Sequence, residues 1–336
     1  MTEDIITLSH GAGGRLSREL INKYVKKYFS CTELDKLEDA ARIKINSGTG
    51  VITTDSFVIS PPFFSGGDIG KLSVCGTIND LSAMGAKPLY LTCGFILEEG
   101  LKISDFEKIL KSMSKTAEQA GVKIVTGDTK VVQKNKGDLI FINTTGFGVP
   151  VRHGLKISAS NAKPGDKVII TGNIGEHEIA VLKDREGLSF EADIKSDCAP
   201  LNGMIKKLLD ADVTVHAMRD PTRGGLAGVL NEIASDSKVN ILIEEEKLPV
   251  SKTVKAACSI MGFEPWYLAN EGKMVIITEE RDVIKALKIL KNDKYGRKSE
   301  MIGEVKKGNG RLILKTRIGG KKVLLMPEGE QLPRIC

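Results

Sequence analysis

The sequence of 336 residues holds only six cysteines, four histidines and 5% aromatic residues. The cysteines stand at 31, 75, 93, 198, 258 and 336 without a C-x-x-C pair, and the histidines at 10, 153, 177 and 216 are equally scattered. This spacing excludes a disulfide scaffold and a structural zinc site. No stretch of 18 or more residues is free of charge, so no segment reads as a membrane span. The opening MTEDIITLSHGAGG lacks a basic n-region and an apolar core, so no export signal is expected and the chain reads as cytoplasmic. Lys and Arg outnumber Asp and Glu by 49 to 43, but they are dispersed, and few rings are available to stack bases. Nucleic-acid binding is not expected. The generic nucleotide motifs are missing too. In GGDIGKL (66–72), Ser65 stands where a P-loop needs Gly and Leu72 follows Lys71, and no G-x-G-x-x-G follows a strand. A bound nucleotide must be held by another device.

What is present is enough chain for two cores, at 41% hydrophobic and 27% charged residues. Leu16, Leu20, Ile21, Tyr24, Val25 and Tyr28 recur at helical spacing and predict a helix over 15–29. Strands are expected at 51–60, 88–97, 122–132 and 138–149, where β-branched residues lie between Gly, Pro and Asp. Helices are expected from Gly70 to Met84-Gly85, and from Ser104, where S-D-F-E has capping-box spacing, to Gly121. Residues 152–165 lose periodicity and read as a connection. The second half repeats the mixture: strands at 167–172, around 239–245, 272–278, 299–306 and 310–316, with helices near 175–186, 200–211, 225–235, 250–261 and 281–291. The fold class is therefore α+β, with each sheet covered on one face. Domains are expected at 1–151 and 152–326. A mobile tail over 327–336, with prolines at 327 and 333, ends in Cys336.

Chemistry is expected where carboxylates interrupt apolar patterns. Asp55 breaks VITTDSFVI, Asp128 breaks VTGDTKVV, Asp68 follows two glycines, and Asp80 follows Asn79 in an apolar helix. Asp is disfavoured in strands and costly to bury unpaired, so the set asks for a cation, and Mg²⁺ would also bridge to phosphates. A surface-facing Asp or an Asx turn is the alternative for each. GAGG (11–14) and DPTRGG (220–225) precede helices and could receive anions, or be bare capped turns. Glu271, in Asn270-Glu271-Gly272-Lys273 at the mouth of a strand, reads as a desolvated base or as a strand-end turn. An extended arm from Leu325 to Cys336 reaches about 36 Å, enough to enter a cleft. A thiol beside its own α-carboxylate has a raised pKa, so a covalent role needs another protein to load it. In an extended tail Arg334 and Cys336 would face one wall.

TTDSFVISPPFFSGGDIGKLSVCGTINDLSAMGAKPLYL, VKIVTGDTKVV, RDPTRGGLAGVLNEIA, LANEGK and the terminal LPRIC together closely resemble the HypE family, the carbamoyl dehydratases of [NiFe]-hydrogenase maturation. The resemblance runs from His10 to Cys336, and the Asp pattern also resembles the wider aminoimidazole ribonucleotide synthetase-like superfamily. It implies two α/β domains, with the N-terminal sheet at a homodimer axis and Mg-ATP beside the glycine loop. Asp55, Asp68, Lys71, Asn79, Asp80, Asp128, Gly11 and Gly13 would surround the nucleotide, with Asp55, Asp80 and Asp128 on the metal. Cys336 would be loaded with a carboxamide by a HypF-like carbamoyltransferase and dehydrated to S-cyanide, with Lys130 and Glu271 removing protons. The cyanide would pass to an iron-bearing HypC–HypD-like scaffold. Strand alternation puts Lys130 on the same face as Asp128, next to the expected metal. Two rivals are a selenophosphate synthetase-like ATP enzyme, whose Cys or Lys ahead of the glycine loop is missing here, and a non-enzymatic carrier.

Overall fold

The computed structural model describes residues 14–25, 34–45, 48–185, 194–327 and 334–336. The chain enters through α1 (Arg15–Leu20), which widens into a π-turn at Ile21–Val25. The remainder of the helix expected over 15–29 lies outside the described residues. A five-stranded sheet follows, in the order β1 (Ala41–Ile45), β2 (Gly48–Phe57), β7 (Ile140–Pro150), β5 (Ala86–Glu98) and β6 (Lys123–Val132). Only β5 and β6 run parallel. Between β2 and β5 lie a two-stranded ribbon, β3 (Phe63–Phe64) with β4 (Gly67–Asp68), and helix α2 (Ile69–Ala83).

Alternation along β2 turns Val51, Thr53, Asp55 and Phe57 toward α2 and leaves Ile52, Thr54 and Ser56 outside. The Asp68 carboxylate caps α2, accepting from the N–H groups of Gly70 (2.8 Å) and Lys71 (3.0 Å). Nearly every residue of α2 is buried, so its hydroxyls are satisfied locally: Ser73 and Ser82 donate to carbonyls one turn back, and Thr77 meets Thr144 across the helix–sheet contact. Helix α3 (Ile103–Ala120) adds Ile109, Met113 and Ala117 to the same core and stops at left-handed Gly121. It begins at Ile103, one residue before Ser104, and its cap Lys102 offers no side-chain bond, so S-D-F-E is not used as a capping box. Among the described residues no helix covers the opposite face of the sheet. Ile52, Tyr90 and Ile96 are exposed there, with Phe147 between the first two in register.

A seven-stranded sheet carries the second half, in the order β14 (Lys321–Leu324), β13 (Leu312–Lys315), β10 (Val239–Glu244), β12 (Glu300–Lys307), β8 (Lys167–Ile170), β11 (Val275–Thr278) and β9 (Val215–Arg219). Both of its faces are covered, which corrects the expectation of one. On one side Leu226, Leu230 and Ile233 of α6 (Gly225–Ser237) pack on Ile170, Ile277 and Ile241. On the other, Ile205, Leu208 and Leu209 of α5 (Asn202–Asp210) and Leu290 of α8 (Val283–Lys291) pack on Ile169, Ile276 and Met218. The inner stretches of β8 (Val168, Ile169 and Ile170) and β11 (Val275, Ile276 and Ile277) are continuous apolar runs because neither face meets water. Helices α4 (Glu176–Asp184) and α7 (Lys252–Met261) form a separate apolar contact at the side. The connection after β7 is anchored by buried Ile157, Ala159 and Ala162.

The two halves are joined by polar groups that each half sends into the other. The Asn79 amide donates to the carbonyls of Ala199 (3.1 Å) and Glu271 (3.4 Å), and its oxygen accepts from Leu201 N–H (2.9 Å). Arg219, at the end of β9, binds Asp39 (2.7 Å), Glu232 (2.9 Å) and the Leu37 carbonyl (2.8 Å). Asn79→Ala leaves the Ala199 carbonyl and the Leu201 N–H without a partner, and the expected loss of stability is about 2–4 kcal/mol. Urea unfolding checks this; an unchanged midpoint would mean that these bonds are replaced by water at no cost.

Candidate active site

Asp55, Asp80, Asp220, Glu271 and Cys336 line one cavity of about 60 Å³, together with Phe57, Gly76, Thr222 and Arg223. Asp55 comes from the inner face of β2, Asp80 from the last turns of α2, Asp220 from the residue after β9, and Glu271 from the loop leading to β11. Larger cavities of about 610 and 560 Å³ contain none of these carboxylates.

The electrostatics of the cluster are set by desolvation. Burial first, then repulsion from Asp55 and Asp220, pushes Asp80 well above the carboxylate range, against the pull of the Thr53 hydroxyl 2.8 Å away. Asp220 and Glu271 are pushed up in the same way by burial and by neighbouring acids. Asp55 is raised by burial, offset by a hydrogen bond shared with Asp80 and by Arg223. Behind them burial takes Asp39 up to about 7 despite the pull of Arg219. Positive charge is therefore favoured among these carboxyls. Two oxygens, Glu271 Oε1 and Asp39 Oδ2, are buried without a hydrogen-bond partner. Hard oxygens crowded in this manner suit Mg²⁺, although among the described residues no three are already gathered to ligand geometry.

Glu271 is held by its backbone. Its N–H donates to Asp197 (3.1 Å), its carbonyl accepts from Ala199 N–H (3.4 Å), and Gly272 N–H also reaches Asp197 (3.2 Å). A Cβ at Gly272 would lie 1.8 Å from the Asp197 carbonyl oxygen, so only glycine permits this approach. Burial raises the Asp197 carboxyl, but Lys273 (3.0 Å) and His177 outweigh it and hold it below its ordinary value. A similar need fixes Gly225 at φ 60°, where a Cβ would meet the Leu268 carbonyl at 2.5 Å and close the loop that carries Asp220.

Other expected site residues are placed differently. Register pairs Asp55 with Thr144 on the helix-covered face, whereas Asp128 and Lys130 pair with Gly94 and Ile96, which belong to the open face. Asp128 and Lys130 form an exposed ion pair (2.8 Å) on that face, so within one chain neither joins Asp55 and Asp80, and the expected trio of metal ligands is not assembled. Asp68 is occupied as the α2 cap, Asn79 as the clamp between halves, and Lys71 Nζ binds the Gly66 carbonyl at 2.8 Å. Gly11 and Gly13 lie outside the described residues. Asp39 and His177 stand in no motif, and Asp220 is as readily a turn former. Its one available signal was an acidic residue directly following the pattern of β9, itself hidden by buried His216 and Arg219.

The end of the chain is docked. Ile335 is buried in the first core and Cys336 faces the cavity, which corrects the expectation of a mobile tail for residues 334–336. Arg334 has φ 57° and pairs with Asp138 (2.7 Å), so alternation fails there and it does not share the Cys336 wall.

Two domains of this architecture meeting at a carboxylate-lined cleft define an AIR synthase related protein: the N-terminal-domain model of that family matches residues 37–150 and the C-terminal-domain model residues 163–315. Within that class the chain belongs to the HypE carbamoyl dehydratase family. It is 45% identical over 332 residues to the carbamoyl dehydratase HypE of Azotobacter vinelandii, covering 98% of this chain and 97% of the relative. It is also similar to HypE in a crystal structure of a HypE–HypF complex (TM-score 0.87, 50% identity, 92% and 99% of the two chains). A third match is HypE crystallised with ATP (TM-score 0.83, 44% identity, 99% and 100%). Among the described residues no helix is long and apolar enough to cross a membrane.

The acid cluster sets a pH dependence. Asp39 titrates near 3.8 unfolded and at about 7 folded, so the folded chain binds more protons in that window and stability falls as pH rises through it. Without divalent cations the thermal midpoint should therefore be higher at pH 5 than at pH 8, and Asp39→Asn should narrow the difference. An equal difference in parent and variant would remove Asp39 from the effect.

Proposed function

We propose that this chain uses ATP to convert an S-carboxamide on its own Cys336 into an S-cyanide for the iron of [NiFe]-hydrogenase. The observation that carries the reading is Cys336, the residue that bears the terminal thiol, lining one cavity with Asp55, Asp80, Asp220 and Glu271. The family membership and the relative crystallised with ATP support the nucleotide, and the HypE–HypF complex supports a HypF-like carbamoyltransferase as the loader of Cys336. An iron-bearing HypC–HypD-like scaffold is the proposed acceptor of the cyanide.

Asp55, Asp80 and Asp220 would hold Mg²⁺, which when bound offsets the charge of the phosphates. The carboxamide oxygen is a poor leaving group until it carries a phosphoryl group. In the balanced step the oxygen takes the terminal phosphoryl group of ATP, the nitrogen gives up both protons, and the C–O bond breaks as the C≡N bond forms. The products are thiocyanate, ADP and phosphate. Glu271 is the proposed base. Its backbone is fixed on both sides while Oε1 has no partner, and burial that raises its pKa makes the ionised carboxylate a stronger base than one in water. The Asn79 clamp and the Asp197–Lys273 pair keep it in place.

The exposed pair Asp128 and Lys130 can act only if another chain brings them to a site, and the open face carrying Ile52, Tyr90 and Ile96 is the proposed homodimer contact. Mutation of Lys130 should then be rescued by mixing with a Glu271 variant, because each mixed dimer keeps one complete site.

The direct test loads Cys336, adds Mg-ATP and follows loss of water from the C-terminal peptide by mass spectrometry. Glu271→Gln should bind ATP as the parent does in calorimetry and slow the loss by about 10²-fold or more. Asp80→Asn should instead weaken Mg-dependent ATP binding. Parental rates in Glu271→Gln would remove the base, and no loss of water in the parent would end the dehydratase reading.

A further inference from the structure

The last three residues are held by a set of contacts that the chemistry above does not use. The Arg334 carbonyl accepts from Ser60 N–H (3.2 Å) and from Arg185 Nη2 (2.6 Å), while Arg185 Nε donates to the Ser60 carbonyl (2.8 Å). The Ile335 carbonyl lies 2.9 Å from His177 Nε2. A carbonyl only accepts, so Nε2 carries the proton; Nδ1 is then the acceptor, and the Ser196 hydroxyl, 2.7 Å away, donates to it. Ser196 Oγ accepts in turn from Cys198 N–H (3.1 Å). The ring is fully buried and edge-on to Phe64, with centroids 5.4 Å apart, and burial holds it neutral by lowering its pKa. The Ile335 side chain is 5% exposed in the core that contains Phe57 and Ile142.

These contacts read two consecutive carbonyls, one apolar side chain and one cationic side chain. None depends on the covalent link back to residue 327. His177 and Arg185 sit at the two ends of α4, so one rigid helix supplies both readers. We propose that α4 with Ser60 forms a binding site for a C-terminal Arg-Ile-Cys peptide, with His177 as the positioning residue, whether the peptide is the chain's own tail or a separate molecule. His177 does not line the cavity at Cys336, so it acts on the thiol only by holding the peptide unit before it.

Two measurements on the full chain test this without ATP or a carbamoyl group, so their failure is separate from failure of the dehydratase reading. Alkylation of Cys336 by iodoacetamide, followed by peptide mass spectrometry, reads docking of the native tail. His177→Phe keeps a ring beside Phe64 but has no donor, and should speed alkylation about tenfold, whereas His177→Gln can present its amide N–H near the Nε2 position and should stay close to the parent. Ile335→Asp should undock the native tail and vacate the site. That variant should then bind a fluorescein-labelled Gly-Arg-Ile-Ser peptide saturably in anisotropy. Adding His177→Phe should weaken this about tenfold, and adding His177→Gln should restore it. Equal alkylation of parent and His177→Phe, or no peptide binding by a folded Ile335→Asp chain, would overturn the proposal. A third measurement rests on the dehydratase reading: with Cys336 already loaded, single-turnover loss of water should slow in His177→Phe and recover in His177→Gln.

Discussion

Acidic side chains of like charge, taken out of water at the junction of two domains, are the constraint around which this molecule is arranged. Asp55, Asp80, Asp220 and Glu271 arrive from a strand, a helix and two loops, and Asp39 lies behind them. A buried carboxylate without a counter-charge is unstable, and several together compound the cost. The fold answers at the back with Arg219, fixed between Asp39 and Glu232, while at the front burial and mutual repulsion push the carboxyls of Asp80, Asp220 and Glu271 up. The front is thus left with an unmet demand for positive charge, which is the property a metal–nucleotide site requires.

Rigidity is supplied by other groups so that the reacting ones stay unencumbered. Glu271 has its N–H on Asp197 and its carbonyl shared by Ala199 and Asn79, yet its side chain retains an unpartnered oxygen. Asp197, although buried, is held below its ordinary value by Lys273, whereas burial pushes Glu271 up, so two neighbouring acids are shifted in opposite directions for local reasons. The neutral amide of Asn79 suits its place, since a charged clamp beside Asp80 would change the electrostatics of the cluster it supports.

Much of this was legible in the sequence, and the misreadings share a cause. Asp55 in a strand and Asp80 in an apolar helix stood out because burial without a partner is costly, and both line the cavity. Alternation placed Asp128 and Lys130 together, but a period of two states only which residues of one strand share a side. Which side meets α2 depends on pairing through β5 and β7, and that pairing turned them outward. Asp68 and Asn79 were equally conspicuous and proved to be a cap and a clamp, because a polar residue in an apolar context announces a partner without naming it. Strand β9 escaped notice since His216 and Arg219 look exposed until Asp166 and Asp39 are seen to receive them. The tail's reach followed from its length, but its docking depended on a left-handed turn at Arg334.

The docked tail sharpens the electrostatic problem, because Cys336 brings its own α-carboxylate toward a cluster already rich in acids. The contacts that hold the tail accommodate this. His177 and Ser60 N–H are neutral donors, Arg185 adds positive charge on the tail's backbone, and Arg334 spends its charge on Asp138, outside the cavity. Near the carboxylates themselves, Arg223 is a cation whose pull is felt at Asp55. Docking and charge at the cluster are therefore linked: positive charge that enters among Asp55, Asp80 and Asp220 favours the docked terminus, and the docked terminus favours that charge by the same free energy. The docked terminus is thereby held most strongly when the cluster holds a cation.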